Sequence, residues 1–470
     1  MTKSDSWAPA LLVFLLSFVI QASWALASPP GSAPDEDTHL SSAWCIADSG
    51  SSPCAEINVR LVDIGKCFYR DSGINASCDH YETIEKSKPE RSVGTTFYYQ
   101  TLSKFISNDI DMSVLFMRFN NALIMSFILF MLSLKLKKET LVATIISWLV
   151  VNLPLGFFLI PSVSTSSWLL ISTFTIFPLI YEFSKIDSQN IGLRITFLIL
   201  LYHFAVTARW DTKLFFTIII LISSYNFYDY LQNAKIRIVL KSVFLAANII
   251  LLYIIWGFSE IALAQVKGYS LWEHVYRIYS IPIGVFGGWG LGSLEVDLPA
   301  TVSVVSLVII FMLLYLGLDT QIFKNNIMSL TLCTYIILVP LFIIIKSNLR
   351  VGEWVQPRYI LPLFYPLIFI AVKNIIMKNA STNRNLLTFI ALSSTVSFSI
   401  SLHTLLRRYT IGLESYVFNL NQDPIWWWNL NLIPGPMFIF SLGTISYIFL
   451  WILISKIFFQ TMISTQKINQ

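Results

Sequence analysis

Charge is scarce in this chain. Only 13% of its 470 residues are Asp, Glu, Lys or Arg, and 55% are hydrophobic; a soluble globular protein carries about a quarter charged residues. The shortage rules out a soluble domain of this length. The formal net charge of +5 is too small to mark a nucleic-acid-binding surface. Cysteines number five, with no CxxC pair, so the usual spacing of a structural zinc site is missing. The glycine-rich stretch GVFGGWGLGS (284–293) has no lysine and no strand–helix context, which excludes a phosphate-binding P-loop. Internal repeats, low-complexity tracts and long polar domains are also lacking.

What remains is a succession of apolar runs of the length that crosses a bilayer, with mean hydropathy +0.66. Spans are expected near 8–27, 113–134, 141–162, 167–182, 192–207, 213–228, 238–257, 299–318, 327–346, 358–374, 386–404 and 436–457. The fold class that follows is an all-α membrane protein of roughly twelve transmembrane helices. The pair 192–207 and 213–228 shares the short turn ARWDT (208–212) and also fits a re-entrant hairpin. Residues 8–27 suit a retained first span, with a signal peptide cleaved after Ala27 as the rival reading. The chain then divides into 1–27, a loop 28–112, and a polytopic domain 113–470. Basic segments KLKKE (135–139), QNAKIR (232–237), KNIIMK (373–378) and the tail from Lys456 belong in the cytoplasm by the positive-inside rule. The loops 28–112, 258–298, 347–357 and 405–435 then face outward, and the expected location is the cytoplasmic (plasma) membrane. Arg209, Lys346, Arg350, Arg358, Arg407 and Arg408 run against the charge bias and draw attention for that reason.

Cys45, Cys54, Cys67 and Cys78 all fall in the first outer loop. Four cysteines in one hydrophilic segment point to two disulfides and an oxidising compartment. Proximity along the chain favours Cys45–Cys54 and Cys67–Cys78; a zinc site is the competing reading.

Three constellations carry possible chemistry. The first is PDEDTH (34–39). Pro34 suits a first helical position, and Asp35, Glu36 and Asp37 suit a first turn, where acids meet the positive end of the helix dipole. The same acids offer a general base, with His39 one turn from Asp35. A metal held by Asp35, Asp37 and His39 would need further ligands, and no metal centre is assigned, although a divalent ion is left open. The second is MRFNNALI (117–124), where Arg118 and Asn121 share a helix face. An arginine in hydrocarbon is costly, so Arg118 either snorkels to headgroups or pairs with an acid of PDED. The third is VQPRYILPLFYPL (355–367). A helix starting near Pro357 presents free N–H groups outward, and Arg358 beside them suits a phosphate. Arg358 and Tyr359 as a mere interfacial anchor is the bland alternative. Arg209 and Asp211 read as a local ion pair, Arg407 and Arg408 as phospholipid contacts, and His203, His274 and His403 as core or interfacial residues. PIWWWNLNLIPGP (424–436) reads as an interfacial tryptophan belt, with a stacking platform as the rival. Asn75-Ala-Ser77 is a glycosylation sequon.

In order, PDEDTH (34–39), RFNN (118–121) and RYILP (358–362) resemble the Pro-Asp-Glu…His, Arg-x-x-Asn and Arg-Tyr-x-x-Pro motifs of a group of bacterial integral-membrane proteins defined only as a domain of unknown function. SPPGSAPDEDTHL and the nearby AWC resemble its actinobacterial branch. A Tyr-Pro-Pro motif of that group is here TTFYYQ (95–100), without prolines. The group is distantly similar to GT-C glycosyltransferases. That resemblance implies a multi-span enzyme needing no cofactor, which moves a sugar from a polyprenyl-phosphate donor to a cell-envelope glycan or lipid acceptor on the outer side. It implies Asp35 or Glu36 as the base, with Asp37, His39, Arg118 and Asn121 in support. Arg358 and Tyr359 would hold the lipid phosphate. The alternatives are a flippase for lipid-linked glycans and a non-catalytic envelope assembly protein. A transporter calls for paired broken helices in two related halves, and the prolines around 357–366 have no such counterpart. Partners by this reading are membrane lipids, the donor and the acceptor, and no nucleic acid.

Overall fold

The computed structural model describes residues 7–469 apart from 70, 79–85, 90–92, 95, 184–190, 210, 226–233, 259–270, 279, 293, 318–322, 348–355, 378–379, 415–416, 423 and 429–432. Residues 232–233, most of the loop 347–357 with Arg350, and the side chains of His274 and Lys346 lie outside the described residues. The chain is helical almost throughout. Its helices are α1 Trp7–Leu26, α2 Glu36–Ser49, α3 Val59–Asp63, α4 Phe97–Leu102, α5 Ile110–Lys135, α6 Lys138–Val151, α7 Leu155–Leu159, α8 Thr165–Phe183 and α9 Ile191–Ala208. They continue as α10 Thr212–Ser224, α11 Ala234–Phe258, α12 Leu271–Ile278, α13 Ser280–Ile283, α14 Ala300–Gly317, α15 Phe323–Ser347, α16 Leu361–Met377, α17 Ala380–Thr410 and α18 Pro436–Asn469. The described strands are β1 Ile57–Asn58 and β2 Lys86–Ser87, paired antiparallel.

Among the described residues, six helical segments are long and apolar enough to cross a membrane: Trp7–Leu26, Ile110–Lys135, Ala300–Gly317, Ile327–Ile345, Arg384–Thr410 and Pro436–Gln460. Four shorter apolar helices, Ile195–Ala208, Thr212–Ser224, Val239–Ile255 and Leu361–Ile376, match four further expected spans. The expected span 141–162 is not one helix. Pro154 has no N–H to continue the ladder; α6 stops at Val151, and α7 resumes only after Pro154. Asn152 occupies the break, donating to the Trp148 carbonyl at 2.7 Å and accepting from the Tyr365 hydroxyl at 2.7 Å.

The bundle is organised around α16, whose residues from Leu361 to Ile376 are all buried. A helix apolar on every side belongs in an interior, and α16 packs against α6, α8, α14 and α15. Helix α1 lies between α5 and α18. At one end of the bundle Lys373 of α16 pairs with Glu139 of α6 at 2.7 Å, and Thr140 bonds the buried Glu182. The opposite end gathers the close of α1, the starts of α5, α10 and α16, and the loop from residue 28.

That loop is braced covalently and sterically. Disulfides join Cys45 to Cys54 and Cys67 to Cys78, with Cα–Cα separations of 5.2 and 5.9 Å. Two glycines with positive φ, Gly31 (82°) and Gly65 (76°), meet backbone to backbone. A Cβ on Gly31 would lie 2.8 Å from the Ile64 carbonyl and the Gly65 nitrogen. Gly50, with φ 72°, has open space where its Cβ would be. Gly50→Ala therefore carries only the left-handed penalty, about 1 kcal/mol. Gly31→Ala adds a clash with main chain that has no rotamer to yield, for a total of roughly 3 kcal/mol. Thermal unfolding in detergent measures both, and equal losses would contradict the close packing of Gly31 against Gly65.

Candidate functional site

Helix α2 starts at Glu36, so Pro34 precedes the helix rather than opening it. Asp35 is its N-cap residue but makes no side-chain cap bond. Its φ of 60° and ψ of 19° are left-handed, a conformation that costs a non-glycine residue about 1–2 kcal/mol. Strain of this kind persists where the surroundings over-determine it. The turn sends two adjacent carboxylates to different places.

Glu36 points inward and is fully buried. Its Oε1 accepts from Arg118 Nε at 3.1 Å and the Val163 amide at 3.1 Å. Its Oε2 accepts from Arg118 Nη2 at 2.7 Å and the amides of Gly31 and Ala33 at 3.0 and 3.2 Å. Arg118 is equally saturated. Besides Glu36, its Nη1 donates to the carbonyls of Ala25 (2.9 Å) and Ser28 (2.7 Å), and Nη2 to that of Pro29 (2.9 Å). Those bonds match the five N–H donors a guanidinium has. The five bonds to Glu36 occupy its carboxylate completely. Asn121, one turn along α5, donates to the Ser162 carbonyl at 2.8 Å and accepts from Trp168 Nε1 at 3.1 Å. It fixes the turn whose next amide, Val163, binds Glu36.

Asp35 points outward. Its side chain is 50% exposed, and Oδ2 accepts from Arg358 Nη2 at 2.9 Å. Arg358 sits in the 3-10 turn Pro357–Tyr359 just before α16. Its side chain is only 9% exposed, and its Nε and Nη1 are buried without a partner among the described residues. A buried donor left unpaired costs about 1–3 kcal/mol, more when charged. Arg358 therefore holds unmet hydrogen-bonding capacity next to a half-exposed acid. The Tyr359 ring lies 5.4 Å from the Arg358 guanidinium and 5.1 Å from that of Arg209. Arg209 is satisfied: Nε donates to Asp211 Oδ1 at 2.9 Å, Nη2 to Asp211 Oδ2, and Nη1 to Ser166 at 3.0 Å.

His39 completes the cluster. Its Nδ1 is 2.7 Å from the Tyr99 hydroxyl, and the two rings stack with centroids 5.9 Å apart. Burial pushes the His39 imidazole down to about 4; Asp35 opposes this, and the Arg358 and Arg209 guanidiniums reinforce it. Burial also raises the Tyr99 phenol, with Asp35 acting in the same direction and Arg209 against it. Both groups are uncharged at neutral pH.

The cluster unites Asp35, His39, Arg358 and Tyr359 with Tyr99, Arg209 and Ser166. Tyr99 and Ser166 carried no sequence signal beyond lying beside aromatic or serine-rich neighbours. Arg209 was visible as a charge against the topological bias, in a turn too short to show its reach toward Tyr359. Asp37 lies in the first turn of α2, where its charge suits the helix dipole. Arg408 does not face lipid: it is buried and donates to the carbonyls of Glu295, Phe68, Asp71 and Ile74. Among the described residues no three His, Cys, Asp or Glu side chains are grouped to hold a metal ion.

A family model described as "Predicted membrane protein (DUF2142)" matches residues 96–368. The chain belongs to this family. The matched stretch contains Tyr99, Arg118, Asn121, Arg209, Arg358 and Tyr359, while Asp35, Glu36, His39 and both disulfides precede it. No curated protein and no solved structure matches the chain.

Two measurements follow for this DUF2142 protein. Leaving one member of a buried ion pair alone costs about 3–5 kcal/mol, so Glu36→Gln and Arg118→Met each lower thermal stability by that order. Because the two share one interaction, the double variant loses well under the sum; additive losses would contradict the pairing. His39 gives a pH signature. Between its ordinary value of 6.5 and its folded value of about 4, the unfolded chain binds a proton that the folded chain refuses. Stability therefore falls as pH drops through that window, by up to about 3 kcal/mol at its lower end. His39→Gln removes this contribution, so its melting temperature declines less between pH 7 and pH 4.5 than that of the parent. An unchanged slope would contradict the buried neutral imidazole.

Proposed function

We propose that this protein is a membrane glycosyltransferase that moves a sugar from a polyprenyl-phosphate donor to a cell-envelope glycan or lipid acceptor, working on the extracytoplasmic side. The observation that carries this reading is the pair formed by Asp35 and Arg358: a half-exposed carboxylate bonded to a buried guanidinium with Nε and Nη1 unspent. A phosphate oxygen meets those donors well, since an anion accepts charge-assisted hydrogen bonds of about twice ordinary strength.

The roles divide along the geometry. The acceptor hydroxyl gives its proton to Asp35 as its oxygen attacks the anomeric carbon. The bond from that carbon to the phosphate oxygen breaks, and the phosphate leaves with the electron pair. Arg358 stabilises the departing charge, and donors preorganised around developing charge usually lower a barrier more than any other single device. Asp35 suits the base better than Glu36, because a base must be within reach of the proton it takes and Glu36 is sealed in its bonds to Arg118. Glu36, Arg118 and Asn121 act as positioning residues. Tyr359 packs between the two arginines at the base of the site.

Membranes containing the full chain, supplied with a panel of radiolabelled polyprenyl-phosphate hexoses and pentoses, test the proposal. Asp35→Asn lowers transfer by about 10²–10⁴-fold, the usual worth of a general base, while leaving the folded protein in place. Arg358→Lys keeps the charge but not the planar donor set and lowers transfer by at least tenfold. Transfer by Asp35→Asn at the parent rate would remove Asp35 as the base, and absence of transfer from every donor in the panel would overturn the enzyme reading.

A further inference from the structure

The contact between His39 and Tyr99 is left unused by this scheme, although it lies inside the same cluster. The Tyr99 hydroxyl is buried and has His39 Nδ1 as its partner among the described residues. Two arrangements of the bond exist. If Nδ1–H donated to the phenol oxygen, the phenol hydrogen would be buried with no acceptor, a costly state. If the phenol donates to Nδ1, both groups are satisfied. A neutral imidazole carries its one proton on whichever nitrogen is not accepting, so the second arrangement places it on Nε2. That nitrogen has no bond to any described residue, in a side chain that is almost wholly buried.

We propose that Tyr99 locks His39 in the Nε2–H tautomer, and that this neutral N–H joins Arg358 Nε and Nη1 in binding the phosphate of a lipid-linked ligand. The proposal rests on the transferase reading for the identity of the ligand, but its chemistry concerns the anion alone. Among the described residues, Asp35, Arg358, Arg209 and Tyr99 are the charged or titratable groups that act on the imidazole. Two of these are guanidiniums, so a third cation would be crowded there, whereas an uncharged donor adds a hydrogen bond without repulsion. His39 is then a binding residue and Tyr99 a positioning residue that acts through it.

The test uses the full chain in detergent with histidine labelled by nitrogen-15, the His39 signals being assigned by their loss in His39→Gln. At pH 7 the spectrum shows His39 with a protonated Nε2 and an unprotonated Nδ1. Undecaprenyl phosphate then shifts the Nε2 signal of His39 and leaves the four other histidines, counted from the five in the sequence, in place. In Tyr99→Phe the two tautomers mix and the lipid phosphate binds several-fold more weakly. His39→Phe loses about tenfold or more in binding, the scale of one hydrogen bond to a charged group. His39→Gln, whose amide still offers a donor, stays within a few-fold of the parent. A purely structural histidine would not separate Gln from Phe while sensing the lipid. An Nδ1–H tautomer, an unmoved His39 signal, or tight binding by His39→Phe would each overturn the proposal. Because no turnover is measured, these outcomes stand apart from the transfer assay: phosphate binding without sugar transfer sinks only the transferase reading.

Discussion

The ion pair between Glu36 and Arg118 holds this end of the protein together. An arginine within an apolar helix is tolerated only when its charge and its donors are met. Here the carboxylate neutralises the charge, and three carbonyls from the close of α1 and the loop after it take the remaining donors. The carboxylate in turn collects amides from Gly31, Ala33 and Val163. Two side chains thus tie α1, α5, the loop 28–35 and the turn before α8 into one unit. Such a pair gives little net stability over a well-packed apolar substitute. It does fix which backbone groups face which, and a site built of loops needs that.

The position of Asp35 follows from this. Its left-handed backbone is a local penalty, held in place because Gly31, Ala33 and Glu36 on both sides are committed to the buried pair. With Glu36 drawn inward, the preceding side chain projects the other way, toward Arg358. One acid is spent on architecture and the next is released to the surface. Asp35 engages a single nitrogen of Arg358, while Arg209 is doubly bonded to Asp211. Of the two cations flanking Tyr359, Arg358 therefore has donors to spare for a ligand, and Arg209 holds the ring and Ser166.

Much of this was legible in the residues. The scarcity of charge and the apolar runs identify a helical membrane protein, and the spacing of Cys45, Cys54, Cys67 and Cys78 indicated the pairing seen in the structure. The short motifs around Asp35, Arg118 and Arg358 come from segments far apart in sequence that meet at one end of the bundle. What pattern reading does not resolve is direction. Asp35 and Glu36 are equivalent as letters, and only a left-handed φ separates them. The interruption of 141–162 was signalled by Pro154, but hydropathy averaged across it. Tyr99 looked like any aromatic in FYYQ, because its worth depends on a histidine sixty positions away. Arg408 looked exposed because it sits at a helix end, yet the loop folds back over it.

Arg408 shows why the loop and the bundle form a single object. It is as buried as Arg118 but binds carbonyls where Arg118 binds an acid. Glu295 and Phe68 accept at 3.2 and 3.4 Å, with Asp71 and Ile74 beside them. Tyr409 next to it donates to Glu295 Oε1 at 2.7 Å. Helix α17 therefore grips the stretch closed by the Cys67–Cys78 disulfide, and just upstream Gly65 presses on Gly31. Starting from Arg408, the contacts run through the disulfide loop to Gly31 and on to Glu36 and Arg118. The loop bearing Asp35 is pinned from two helices through backbone groups that have little freedom to move. A left-handed aspartate can persist only under such constraint, and the same backbone contacts hold its carboxylate against the guanidinium of Arg358 on a distant segment. The two buried arginines contribute that rigidity with their own donors committed to Glu36 and to backbone carbonyls, whereas Arg358 keeps Nε and Nη1 without a partner among the described residues.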